Sequence, residues 1–144
     1  MSFREKGVWI SMLANLAIYG WYFIQLAMAL ARGEADGAHF FGLLAVSVML
    51  VVLVTVVLTI VLTVIVAVRA PQELRRQEDE REKLIGLKAA RLGYVVVASG
   101  ALAAIGAICL GVDGFLIANE LFLALVLSEL AKNAAQIYHY RRGV

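Results

Sequence analysis

The sequence predicts an all-α membrane protein, with four transmembrane helices in an antiparallel bundle and both termini cytoplasmic. Four apolar runs, about residues 8–31, 40–68, 92–110 and 115–138, occupy most of the 144-residue chain. A helix rising about 1.5 Å per residue crosses the hydrocarbon with roughly 20 apolar residues. The composition agrees: 62% of residues are hydrophobic, the mean hydropathy is +0.86 and there is one proline. The basic residues divide unevenly between the two faces that four spans create. Arg4, Lys6, Arg69, Arg75, Arg76, Arg81, Lys83, Lys88, Arg91, Lys132, Arg141 and Arg142 fall on one side and Arg32 alone on the other. Short loops rich in Lys and Arg stay in the cytoplasm, which predicts the orientation and a bacterial inner membrane. The polar segments between spans are too short to fold alone, so the whole chain, 1–144, is expected to form one transmembrane domain.

The first span follows Arg4 and Lys6 and ends at Ala29-Leu30-Ala31, a pattern that a cleavable signal peptide also shows. Its apolar run is about twice as long as a signal core and carries Trp9, Trp21 and Tyr22, so it is expected to stay as a span. Ser11, Asn15, Tyr19, Tyr22 and Gln25 recur at helical spacing and share one face. Amides are costly in hydrocarbon, which predicts that this face looks inward.

The second span carries no charge from Phe40 to Val68, which excludes a soluble amphipathic helix. Its hydroxyls, Ser47, Thr55, Thr59 and Thr63, suit helix packing better than a pore. The segment 69–91 is the one sizeable polar stretch and is expected to form a cytoplasmic helical hairpin. Pro71 suits a first helical position, Glu73 suits an N-terminal turn, and charges of both signs alternate from Glu78 to Lys83. Such a run either keeps an exposed helix soluble or forms a docking surface, and Asp79, Glu80, Arg81, Glu82 and Lys83 are the candidate partner-binding residues. Leu84, Ile85 and Leu87 add apolar contact on the membrane or a partner.

In the third span Gly93, Gly100, Ala104, Ala107 and Gly111 form a small-residue seam that allows close helix approach, within the chain or to a second copy. The fourth span places Glu129, Lys132, Asn133 and Gln136 on one face. Counted along the helices, Glu129 lies about 13 Å from the cytoplasmic end and Asn15 about 12 Å, so the two are expected at equal depth. Asn15, Glu129, Lys132, Asn133 and Gln136 thus make up a candidate intramembrane polar cluster. Glu129 fits either local pairing with Lys132 or a proton, ion or ligand role. Trp9, Tyr94, Tyr138 and Tyr140 suit the cytoplasmic aromatic belt.

Two stretches resemble a family of small four-span bacterial inner-membrane proteins of unassigned activity. They are Asp79-Glu80-Arg81-Glu82-Lys83-Leu84-Ile85 before the third span, and Leu127-Ser128-Glu129-Leu130 with Gln136-Ile137-Tyr138 and Tyr140-Arg141-Arg142-Gly143 closing the fourth. The resemblance implies the four-helix fold, a bacterial inner membrane and a link to small helix-turn-helix regulators, and transfers no catalytic residue.

No nucleophile elbow, phosphate loop or paired acid and base stands out, so no enzyme is expected. Cys109 with His39 and His139 makes no metal cluster, and neither a metal nor a cofactor is expected. The expected partners are the bilayer, further copies of the chain and a cytoplasmic protein, without direct nucleic-acid binding. Two functions fit these residues. One is an oligomeric interaction or regulatory module presenting the charged hairpin; the alternative is a small oligomeric transporter or channel using Glu129, Asn15 and Lys132.

Overall fold

A computed structural model describes residues 3–34, 36–69 and 80–142. These residues form four α-helices: α1 (Phe3–Arg32), α2 (Gly37–Arg69), α3 (Glu80–Cys109) and α4 (Gly114–Arg142). Each is long and apolar enough to cross a membrane, and the chain is a multi-pass membrane protein. Pro71, Glu73 and Asp79 lie outside the described residues, as does the rest of 70–79.

The chain divides into two compact units, one ending at Arg76 and the other beginning at Gln77. In the first, α1 packs on α2; in the second, α3 packs on α4. α2 is rich in Val, Ile and Thr, whose branched side chains are mediocre helix formers in water. In hydrocarbon the backbone has no other donor or acceptor, and the helix forms regardless of propensity. Phe41, Met49 and Leu102 are 73%, 72% and 69% exposed, surfaces that suit lipid and would aggregate in water.

Both hairpins turn by the same device. At the end of α1, Gly33 takes φ 70°, its N–H donates to the Leu30 carbonyl at 3.1 Å and that of Glu34 to Ala29 at 3.0 Å. At the end of α3, Gly111 takes φ 72°, its N–H donates to Ile108 at 3.0 Å and that of Val112 to Ala107 at 3.0 Å. This is a Schellman closure, which satisfies the last helical carbonyls and favours glycine in the left-handed region. An aspartate then starts each returning helix: Asp36 Oδ1 accepts from the Ala38 N–H at 3.2 Å and Asp113 Oδ1 from Phe115 at 2.9 Å. Gly111 therefore lies beyond α3 as its cap, not in the packing seam expected for it, because the chain must reverse there.

The expected cytoplasmic hairpin, in its described part 80–91, is one continuous helix with the third span. Ile85 and Ala89 are buried while Leu84 and Leu87 are exposed, so an apolar edge anchors this extension.

Substitution separates the cap from an ordinary helical glycine. Gly111→Ala should lower stability by about 1–2 kcal/mol, since a Cβ is disfavoured at positive φ. Gly106, in the last turn of α3 with open space where a Cβ would go, should tolerate alanine or gain about 0.5–1 kcal/mol. Thermal denaturation of both variants in detergent checks the difference.

Candidate functional site

The α3–α4 contact is built on glycine. A Cβ at Gly100 would overlap the Cβ of Ala124, and one at Gly93 would lie 3.2 Å from the Ser128 carbonyl oxygen and hydroxyl and 3.4 Å from Lys132 Cβ. Backbones this close leave room for a direct bond, and the Ser128 hydroxyl donates to the Gly93 carbonyl at 2.8 Å. Ala104 is buried and Ala107 half-buried along the same side. The antiparallel register that pairs Gly93 with Ser128 and Gly100 with Ala124 brings Ala104 level with Asn119 and Glu120.

This register decides where the predicted polar cluster goes. Ser128 takes the position against α3, and Glu129 is turned away, with its side chain 51% exposed. Within the α3–α4 unit Glu129 therefore lies on the side of α4 away from α3. Its carboxylate instead folds along α4 onto Lys132, whose ammonium donates to Oε1 at 2.8 Å and approaches Oε2 at 2.6 Å. The Lys132 stem covers Gly93 while its charge meets Glu129, an apolar and a polar contact from one side chain. Asn133 is buried, and its Nδ2 finds no acceptor among the described residues; Gln136 is half-buried. Asn15 is buried within the α1–α2 hairpin and Glu129 belongs to α4, so each is described in its own unit.

The first-span stripe does look inward. Tyr22 and Asn15 are buried and Ser11, Tyr19 and Gln25 half-buried, while Leu16, Trp21 and Ile24 face out. The hydroxyls of α2 divide. Ser47 is buried, with its hydroxyl donating to Leu43 at 2.8 Å. Thr59 and Thr63 are exposed, donating to the carbonyls of Thr55 and Thr59 at 2.7 Å each. A threonine that satisfies itself on its own helix leaves no unpaired hydroxyl on that face, so neither of these two needs α1 as a partner.

Among the candidate partner-binding residues, Glu80, Arg81 and Lys83 are exposed and Glu82 is half-buried on the first turns of α3. At the C-terminal end of α4, the Arg142 guanidinium lies 4.9 Å from the centre of the Tyr138 ring, a cation–π contact. Cys109 is a free, exposed thiol. Among the described residues no three His, Cys, Asp or Glu side chains converge as metal ligands.

Sequence reasoning places Asn119 and Glu120 in the outer half of the fourth span but leaves Glu120 out of the candidate cluster. Its Oε2 is buried without a hydrogen-bond partner among the described residues, and its Oε1 lies 3.8 Å from where a Gly100 Cβ would be. Glu120 was readable as a charge close to Asn119 in an apolar run, but only the register shows that it faces the bare backbone of α3. Asn119 is buried and donates to the Phe115 carbonyl at 2.8 Å.

Two variant sets test this site. Gly100→Ala should destabilise the α3–α4 hairpin by about 1–3 kcal/mol through overpacking, and adding Ala124→Gly should recover part of the loss. Glu129→Gln keeps an acceptor for Lys132 and should stay within about 1 kcal/mol of wild type. Glu129→Leu leaves the ammonium without its partner and should cost about 1–3 kcal/mol. Thermal or denaturant unfolding in bicelles reads all four.

No family model, curated protein or solved structure matches the chain.

Proposed function

We propose that this protein is a non-catalytic, oligomeric interaction or regulatory module of a bacterial inner membrane, with both termini cytoplasmic. Its four helices form one bundle, and the charged segment before the third span meets a cytoplasmic protein. The observation that carries this reading is the unbroken helix from Glu80 to Cys109. It leaves the membrane as a rigid extension, held by buried Ile85 and Ala89, and presents Glu80, Arg81 and Lys83 outward at fixed spacing. Mixed charge on a pre-formed helix lets a partner select register and orientation at low ordering cost. The resemblance carried by residues 79–85 and 127–143 agrees with a regulatory role. The half-exposed Glu129–Lys132 pair at membrane depth supports a second copy covering that face, since polar groups in lipid gain from protein contact.

A second reading, transport, is favoured by Glu120. A buried carboxylate oxygen with no hydrogen-bond partner among the described residues, in the non-cytoplasmic half of α4, adds an intramembrane acid to the set of Glu129, Asn15 and Lys132.

The experiment has two arms in cells carrying Cys109→Ser. An impermeant thiol reagent should label Gly37→Cys and spare Glu80→Cys; the reverse pattern refutes the orientation. A photo-crosslinking residue at position 81 should give a discrete protein adduct that Lys83→Glu removes, and the same residue at lipid-facing position 102 should not. Absence of any adduct at 81, with proton- or cation-dependent flux in liposomes lost on Glu120→Gln, selects transport.

A further inference from the structure

The turn between α1 and α2 closes over an open cleft of about 230 Å³, lined from both helices. Its polar wall comes from Gln25 and Arg32 on α1, Glu34 in the turn and His39 on the first turn of α2; its apolar wall includes Met28, Phe40 and Leu43. The clustering follows from the turn chemistry. Gly33 reverses the chain and Asp36 starts α2, which brings Arg32 and Glu34 across from His39. Phe40 is buried and meets the rings of Tyr22 and His39 edge to face at 6.4 and 5.5 Å, so the floor of the cleft is fixed.

Charge selects the ligand class. Arg32 and Glu34 both line the cleft, yet no ion pair joins them to each other or to any other described residue. Asp36, the remaining acid of the turn, is engaged at the start of α2. A site offering one cation and one anion above an apolar wall complements a headgroup that carries both signs on a hydrocarbon tail. An anionic headgroup would satisfy Arg32 and be repelled by Glu34. The cleft also lies where a transmembrane hairpin reverses, which is the depth of lipid headgroups.

We propose that this cleft binds the phosphoethanolamine headgroup of a membrane lipid. The phosphate accepts hydrogen bonds from Arg32 and from the His39 ring, the ammonium meets Glu34, the half-buried Gln25 amide adds a neutral partner, and an acyl chain runs along Met28 and Leu43. Arginine suits the phosphate because its planar fork donates two bonds at once.

Native mass spectrometry of the purified full-length protein, offered equal phosphatidylethanolamine and phosphatidylglycerol of the same chain length, tests the assignment. The wild type should retain phosphatidylethanolamine about two- to fivefold over phosphatidylglycerol, the range expected of an exposed ion pair. Glu34→Gln should bring the ratio to about one by raising phosphatidylglycerol retention. Arg32→Gln should lower retention of both lipids, and Arg32→Lys should restore most of it, which separates a charge effect from misfolding. Equal retention of the two lipids by the wild type, or an unchanged preference in Glu34→Gln, overturns the proposal. Displacement of the lipid by an equal concentration of soluble phosphoethanolamine overturns the lipid as its source, since the acyl chain would then contribute nothing.

Discussion

No water reaches the middle of a bilayer, so every backbone N–H and C=O in a crossing segment must find its partner inside the protein. The rest of this structure follows from that constraint. It makes a helix of α2 despite its branched residues, and it concentrates the unsatisfied groups at helix ends. There Gly33 and Gly111 close the carbonyls, and Asp36 and Asp113 take amides of the next helix. Side-chain hydroxyls obey the same demand, turning back to their own backbone at Ser47, Thr59, Thr63 and Ser99.

Between α3 and α4 the hydrophobic effect supplies little, because lipid tails are as apolar as the side chains they would replace. Close approach and polar contact decide instead. Missing Cβ atoms at Gly93 and Gly100 let two backbones meet, and only at that distance can the Ser128 hydroxyl reach a carbonyl of the facing helix. The rotation that makes this bond also turns Glu129 away from α3. Packing of uncharged atoms thus sets the surroundings of the charged ones, which is why Glu129 and Glu120, both on α4, differ so much. The first is paired along its own helix; the second has Oε1 close to the bare backbone of α3 at Gly100 and Oε2 buried with no hydrogen-bond partner among the described residues.

The four helices were legible in the sequence because length and hydropathy set them independently of their neighbours. Glycine and alanine at helical spacing marked α3 as a packing surface, and the structure brings Gly93 and Gly100 of that set against α4. Periodicity fixed which residues share a face but not where the face points. Glu129, Lys132, Asn133 and Gln136 do lie together, yet a small rotation of α4 buries Asn133 and exposes Glu129. The rotation depends on which side chains fit against the partner helix, information held in pairs of residues distant in the chain. Gly111 was misread for a related reason: its spacing continued the seam, and only the positive φ reveals a cap. The Arg32, Glu34 and His39 cleft was equally hidden, since nothing in the linear order marks those three as neighbours across a turn.

The matched turns have a consequence for how the chain is made. Each hairpin carries its own stop and start signals, glycine to end one helix and aspartate to begin the next, within a few residues of sequence. The bonds that define either turn draw on no residue outside its own hairpin, so each turn can close from local sequence alone. The unit that such local closure builds is the helical hairpin, and the chain consists of two of them.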